Sequence, residues 1–165
     1  MSPPRITIVM GSDSDLPVMQ VAADTLASLE VPCELRVSSA HRSPEKTRRL
    51  VSEAVGRGVQ VFIVGAGAAA HLAGVIAAET TRPVIGVPLE GSPLKGVDAL
   101  YSTVMMPGGI PVASMAIGKA GAKNAALFAA EILALNDPAL AERLGEDRRR
   151  QAEGVEDKDR EVRGE

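Results

Sequence analysis

The sequence predicts an α/β fold, a three-layer αβα sandwich built on a five-stranded parallel sheet with an additional C-terminal helix. Three observations carry this. Short apolar runs of strand length alternate with longer segments whose apolar residues recur at helical spacing. Helix starts are marked by Ser or Asp before Pro, and stops by Gly or Pro. The length, 165 residues, suits one domain large enough to bury a core.

Each element has its own signal. Ile6–Met10 is an apolar run ending at Gly11, the length of a buried strand. Leu16, Met19, Ala23, Leu26 and Leu29 then recur at helical spacing, and Val31-Pro32 ends the pattern. Glu34–Ser38 is the second strand. Ser43-Pro44-Glu45 opens a helix: Ser suits the cap, Pro the first turn and Glu the positive end of the dipole. That helix runs to Arg57, and Gly58 fits its stop. Val59–Val64 is the third and most apolar strand. Gly65–Ala70 is a Gly/Ala loop feeding an Ala-rich helix that ends near Thr80, and Pro83–Val87 is the fourth strand. Glu90–Gly109 is loop-rich, with a short helix over Val97–Val104. Pro111–Ile117 is the fifth strand. Lys119–Leu135 is a helix apolar nearly all round, which calls for burial on more than one side and points to subunit contacts. Asp137-Pro138 caps a final helix expected to fray after Arg150. Residues 1–150 thus read as a single α/β catalytic domain, and 151–165 as a charged tail expected to be disordered. Alternating strands and helices imply right-handed crossovers and a parallel sheet, and five strands suggest the flavodoxin-like order.

Composition removes several function classes. Aromatic residues make up 2% of the chain, with no Trp, one Tyr and two Phe, so the core rests on aliphatic residues and the rings that stack single-stranded bases are lacking. A net charge of −3 gives no basic field for nucleic acid or an anionic membrane. The single Cys33 forms no intrachain disulfide and suits a reducing compartment. MSPPRITIVM is too short and polar to read as a signal peptide, and the longest apolar run, within Ala125–Leu135, is broken by Glu131. A cytoplasmic protein with neither nucleic acid nor membrane as partner is expected.

Ligands on such sheets bind at the carboxyl ends of strands near the switch point. The loops there are Gly11–Asp15, Ser38–Ser43 and Gly65–His71. In the first, small residues and a helix N-terminus suit phosphate, Ser12 and Ser14 offer hydroxyls, and Asp15 can accept from ribose hydroxyls; simple capping explains the same residues equally well. In the second, Arg42 carries the planar fork suited to phosphate, and His41 is the residue type that exchanges protons near neutral pH. The third, GAGAAAH, is a poor match to the dinucleotide fingerprint, ending in Ala70 after the third strand. It is small, flat and nearly apolar, and suits a planar ring or a small neutral molecule. His71 at its end is either a second functional histidine or a helix-start residue. Gly91–Gly109 has the length of a lid, with Met105, Met106 and Pro107 for an apolar underside or for the core. No Cys or His cluster has metal-ligand spacing, and no P-loop or G-x-S-x-G elbow occurs. Three classes stand at this point: an enzyme on a phosphorylated small molecule, a nucleotide- or flavin-binding module, and a structural oligomer. Flavin sites flank the ring with aromatics, which are scarce here.

MGSDSD (Met10–Asp15), SSAHR (Ser38–Arg42), GAGAAAHL (Gly65–Leu72), MPGGIPV (Met106–Val112) and AIGKAGAKNAALFAAEIL (Ala116–Leu133) together resemble the class I PurE family, the N5-carboxyaminoimidazole ribonucleotide mutases of bacterial purine synthesis. The resemblance runs from Arg5 to Arg149. It implies isomerisation of that ribonucleotide to 4-carboxy-5-aminoimidazole ribonucleotide, with no cofactor and no metal, in a homo-octamer with sites between subunits. It implies that His41 is catalytic, that Ser12 and Arg42 hold phosphate, that Asp15 holds ribose, and that Ser39 and the Gly65–Ala70 backbone, including Gly67 and Ala68, line the pocket beside His71. A related class that uses free CO2 typically has Lys in place of Arg42 and lacks His71. Departures from the family pattern are Ala68 where Gly is frequent, Ala73 where Pro is frequent, Met105 where Gln is common, and Glu90-Gly91 in the lid.

Overall fold

The computed structural model describes residues 3–164. Five parallel strands, β1 (Ile6–Met10), β2 (Cys33–Val37), β3 (Val61–Gly67), β4 (Val84–Leu89) and β5 (Ala113–Ser114), lie in the order β2-β1-β3-β4-β5. Helices α1 (Leu16–Ser28), α5 (Lys119–Ala134) and α6 (Pro138–Arg163) cover one face. Helices α2 (Pro44–Gly56), α3 (Leu72–Glu79) and α4 (Val97–Val104) cover the other.

Strand residues divide by parity between two cores. Ile6, Ile8 and Met10 of β1, Val61 and Ile63 of β3, and Ile85, Val87 and Leu89 of β4 pack against α1 and α5. Val9, Phe62, Val64 and Val84 pack against α2, α3 and α4. A strand buried on both faces is apolar on both, which is why β1 and β3 read as continuous runs. Each such Ile, Leu or Phe contributes about 1.5–3 kcal/mol by leaving water. The alanines of α5 (Ala122, Ala125, Ala126, Ala129, Ala130) are all fully buried against α1, the sheet and α6. The alanine face of α5 is therefore buried inside the chain, whereas Phe128 is 39% exposed and leaves part of its apolar girth open to a partner.

Four elements differ from expectation. β3 does not stop at Val64 but continues through Gly67, because β4 also extends and pairs Gly65 with Val87 and Gly67 with Leu89. β5 shrinks from the expected Pro111–Ile117 to two paired residues; the chain stays beside β4 through widely spaced bonds, Met115 N–H to Gly86 O and Gly118 N–H to Pro88 O, both 2.9 Å. The tail expected to be disordered from 151 is instead helical to Arg163, in one piece with α6. Its charges are spaced one turn apart. Gln151 reaches Asp147 at 2.6 Å, Arg163 reaches Asp159 at 3.1 Å, and Arg160 reaches Asp157. Such pairs add a few tenths of a kcal/mol each. Elongation also starts from a nucleus already fixed in the body of the protein. There Leu140 is buried, the Asp137 carboxylate accepts from Leu140 N–H at 3.1 Å, and Arg143 donates to Leu29 O at 2.8 Å.

Candidate active site

The switch point of this strand order lies between β1 and β3, and the loops that leave β1, β2 and β3 meet there. Each loop is held by its own bonds. After β1, Ser12 and Asp15 form a capping box around a single 3₁₀ turn: Ser14 N–H reaches Ser12 Oγ at 3.4 Å, and Ser12 N–H donates to Asp15 Oδ2 at 3.0 Å. Burial pushes the Asp15 carboxyl upward; backbone N–H groups of Ser12 and Gly11 oppose that, and the neighbouring Asp13 charge adds to it.

After β2, Ser38 N–H donates to Met10 O at 2.9 Å, and the buried Ser38 and Thr47 hydroxyls bond at 2.8 Å, tying the loop to α2. The Ser39 and Ser43 backbones close the loop on themselves, with Ser43 N–H to Ser39 O at 2.9 Å and Ser39 N–H to Ser43 Oγ at 3.2 Å. Arg42 is then aimed across the site. Its Nε donates to Ser39 Oγ at 3.4 Å, and a terminal nitrogen donates to Gly11 O at 3.3 Å.

After β3, Ala68 turns the chain with φ at 51°, the left-handed region that favours glycine. Methyl groups and bare backbone face the ligand space here. Gly67 passes so close to the loop after β4 that a Cβ on it would lie 3.3 Å from Leu89 O and 3.4 Å from Gly91 Cα.

These loops enclose a cavity of about 440 Å³. Ser12, Asp15, Ser39, His41, Arg42, Gly67 and Ala68, all expected at the site, line it together. A smaller cavity of about 290 Å³ adjoins it, shares Ser12, Ser39 and Arg42, and extends to Lys46. His71 is not part of the lining. It heads α3 without capping it, and its Nδ1 lies 2.8 Å from His41 Nε2, with ring centroids 5.0 Å apart and planes at 80°. Ser14, Ala40, Leu72 and Gly91 also line the cavity, and only Ser14 had a polar signal that marked it beforehand. Of the expected lid, Gly91 alone faces the cavity; Met105 is 77% exposed, and Met106 packs over Gly74 of α3. A larger groove of about 1000 Å³, lined by Val55, Ile110 and Phe128 among others, contains neither histidine.

A doubly wound α/β sheet whose switch point gathers hydroxyls, a carboxylate, an arginine and an imidazole has the donor and acceptor set of a small polar-ligand site. The chain belongs to the AIR carboxylase family, whose sequence model matches residues 5–154. It is 53% identical over 154 residues to the N5-carboxyaminoimidazole ribonucleotide mutase of Escherichia coli (strain K12), covering 93% of this chain and 91% of that protein. It is 52% identical over 145 residues to the mutase of the same name from Bacillus subtilis (strain 168), covering 88% and 90%. The crystal structure of Treponema denticola PurE superposes with a TM-score of 0.87 at 28% identity, covering 96% of this chain and 98% of that one. The relationship confirms the α/β fold with flavodoxin-like order expected from the sequence, and the class of enzyme that the motifs resembled.

Proposed function

We propose that this chain is an N5-carboxyaminoimidazole ribonucleotide mutase of purine biosynthesis, an isomerase that works in the cytoplasm as a homo-octamer with sites between subunits. The observation that carries the reading is His41 on the wall of a cavity whose other polar walls are Ser12, Asp15, Ser39 and Arg42. Arg42 and Ser12 bind the phosphate, with the adjoining cavity giving it room, and Asp15 accepts from the ribose.

The carbamate on the exocyclic amine loses CO2, and the C–N electron pair returns to nitrogen, which His41 protonates. The aminoimidazole left behind is nucleophilic at C4 and captures the retained CO2. The C4–H bond then breaks, its electron pair restores the aromatic ring, and His41 takes the proton back. The methyl-lined turn Ala66–Ala69 keeps CO2 near C4 and keeps water out. The octamer is supported by apolar surface that this chain leaves open. Val97, Tyr101 and Val104 share one exposed face of α4, next to Leu94 and Met105, and the groove lined by Phe128 lies elsewhere on the surface.

The test is conversion of N5-carboxyaminoimidazole ribonucleotide to the C4-carboxylated product by purified protein, with His41→Asn as control. General acid–base catalysis of this kind contributes ~10²–10⁴-fold, and the variant loses that factor. Activity only on aminoimidazole ribonucleotide with bicarbonate moves the chain to the carboxylase class. Light scattering that returns a monomer refutes the octamer.

A further inference from the structure

We propose that His71 is a positioning residue: its Nδ1 accepts the Nε2–H of His41, which leaves the lone pair of His41 Nδ1 as the base that works in the cavity. The inference rests on the mutase reading, because the need for a base at His41 is what selects the tautomer. Two ring nitrogens 2.8 Å apart hold a single proton between them. The planes meet at 80° with centroids 5.0 Å apart, so the rings meet edge-on and are not stacked. If His71 Nδ1 carried the shared proton, His41 Nε2 would accept it and His41 Nδ1 would carry its own. Neither nitrogen of His41 would then be free to take a proton. The opposite arrangement alone gives neutral His41 a free lone pair with the contact intact.

The surroundings favour this role for His71. Its ring does not line the cavity, and it does not cap α3. Its backbone is fixed at the helix start, with His71 N–H to Ala69 O at 2.8 Å and Val75 N–H to His71 O at 2.9 Å. Arg42, the cation next to His41 in the chain, is turned away to Ser39 and Gly11. His71 therefore acts on the substrate only through His41. In the last step of the reaction the C4–H bond breaks, its electron pair returns to the ring, and the proton goes to His41 Nδ1. The resulting imidazolium keeps donating Nε2–H to neutral His71, and the same Nδ1–H serves the amine in the next turnover.

The chain has only two histidines, so long-range proton–nitrogen NMR spectra of ¹⁵N-labelled protein contain two imidazoles, and His71→Phe and His71→Asn assign them. In alkaline buffer, where imidazoles are neutral, wild type is expected to show His41 as the Nε2–H tautomer, the form to which one further proton on Nδ1 gives the imidazolium that serves the amine. In His71→Phe that preference is lost and kcat falls ~10–100-fold with KM within about threefold, the signature of a lost transition-state contribution. His71→Asn, whose amide oxygen accepts the same bond, recovers most of kcat. A wild-type His41 in the Nδ1–H tautomer, or a folded His71→Phe protein with unchanged kcat, overturns the proposal. Should His71→Phe fail to fold, the wild-type spectrum decides it. A wild-type protein without mutase turnover refutes the function, while the spectrum still decides the tautomer.

Discussion

Gly65 offers a direct test of how the sheet positions the site. It lies in β3, paired with Met10 and Val87, under Met19 of α1. A methyl at Gly65 would stand 2.4 Å from Met19 Sδ, 2.9 Å from Cγ and 3.0 Å from Cε. Met19 is fully buried, so the thioether must find another rotamer or α1 must lift. Overpacking of this kind costs ~1–3 kcal/mol, offset by ~0.4–1 kcal/mol from a less flexible unfolded chain. Gly65→Ala is therefore expected to lose ~0.5–2 kcal/mol, or ~2–4 °C in Tm per kcal/mol for a chain of this size. Met19→Ala alone opens a cavity worth ~2–5 kcal/mol. In the double variant the new methyl enters that space, so the combined loss is smaller than the sum by ~0.5–3 kcal/mol. Because α1 begins directly after Asp15, lifting it also displaces the capping turn, and KM for the ribonucleotide rises in Gly65→Ala. Urea unfolding of the four proteins at one fixed concentration measures the cycle. Additivity within about 0.5 kcal/mol, or an undiminished Gly65→Ala protein, refutes the steric account.

Thr47→Val strands the buried Ser38 hydroxyl and is expected to cost ~1–3 kcal/mol in denaturant unfolding, with a fall in kcat/KM as the Ser39–Arg42 loop loosens. At Ala68, glycine relieves ~1–2 kcal/mol of left-handed strain but adds ~0.4–1 kcal/mol of unfolded-state entropy. Ala68→Gly should therefore stay within about 1 kcal/mol of wild type, whereas the β-branched Ala68→Val destabilises and raises KM; equal melting temperatures for Gly and Val variants would be inconsistent with the strain. Asp15 has a raised carboxyl pKa in the folded state, so its contribution to stability is fully present below the unfolded value of 3.8 and is lost as pH rises through the folded value. Asp15→Asn, which keeps an acceptor for Ser12 N–H, is thus expected to gain stability over wild type at neutral pH, the gain vanishing towards pH 3.8, while KM rises. A gain that grows on acidification has the wrong sign.

Much of this molecule could be read from its residues because local and global signals agree. Ile6–Met10 needed no correction, since a strand buried on both faces is a run that nothing else in that stretch competes with. Ser43-Pro44 placed the start of α2 to the residue, because proline fixes the first turn. The place of His41 on the cavity wall was legible because the loops that leave the strands near a switch point converge there. Gly65 and Gly67 were misplaced for a definite reason. A glycine freed from side-chain bulk for helix packing or close backbone approach looks, in one dimension, the same as a glycine in a flexible loop. Composition marked 151–165 as disordered, whereas the spacing of its charges and the anchored first turns of α6 favour helix. The contact of His41 with His71, thirty residues apart, has no sequence signature, since it depends on two short loops reaching over the end of β1.

The exposed face of α4 has a practical consequence. With no Trp in the chain and one Tyr, the tyrosine emission of this protein comes from a single ring, Tyr101, which is 64% exposed beside Val97 and Val104. The chain therefore carries its own label on the surface where subunits are proposed to meet. Quenching by a dissolved ion such as iodide reads the openness of that face directly: strong in dilute protein if the face is bare, weak once a neighbouring subunit covers it. Followed against protein concentration, the same signal becomes an association isotherm without any added dye.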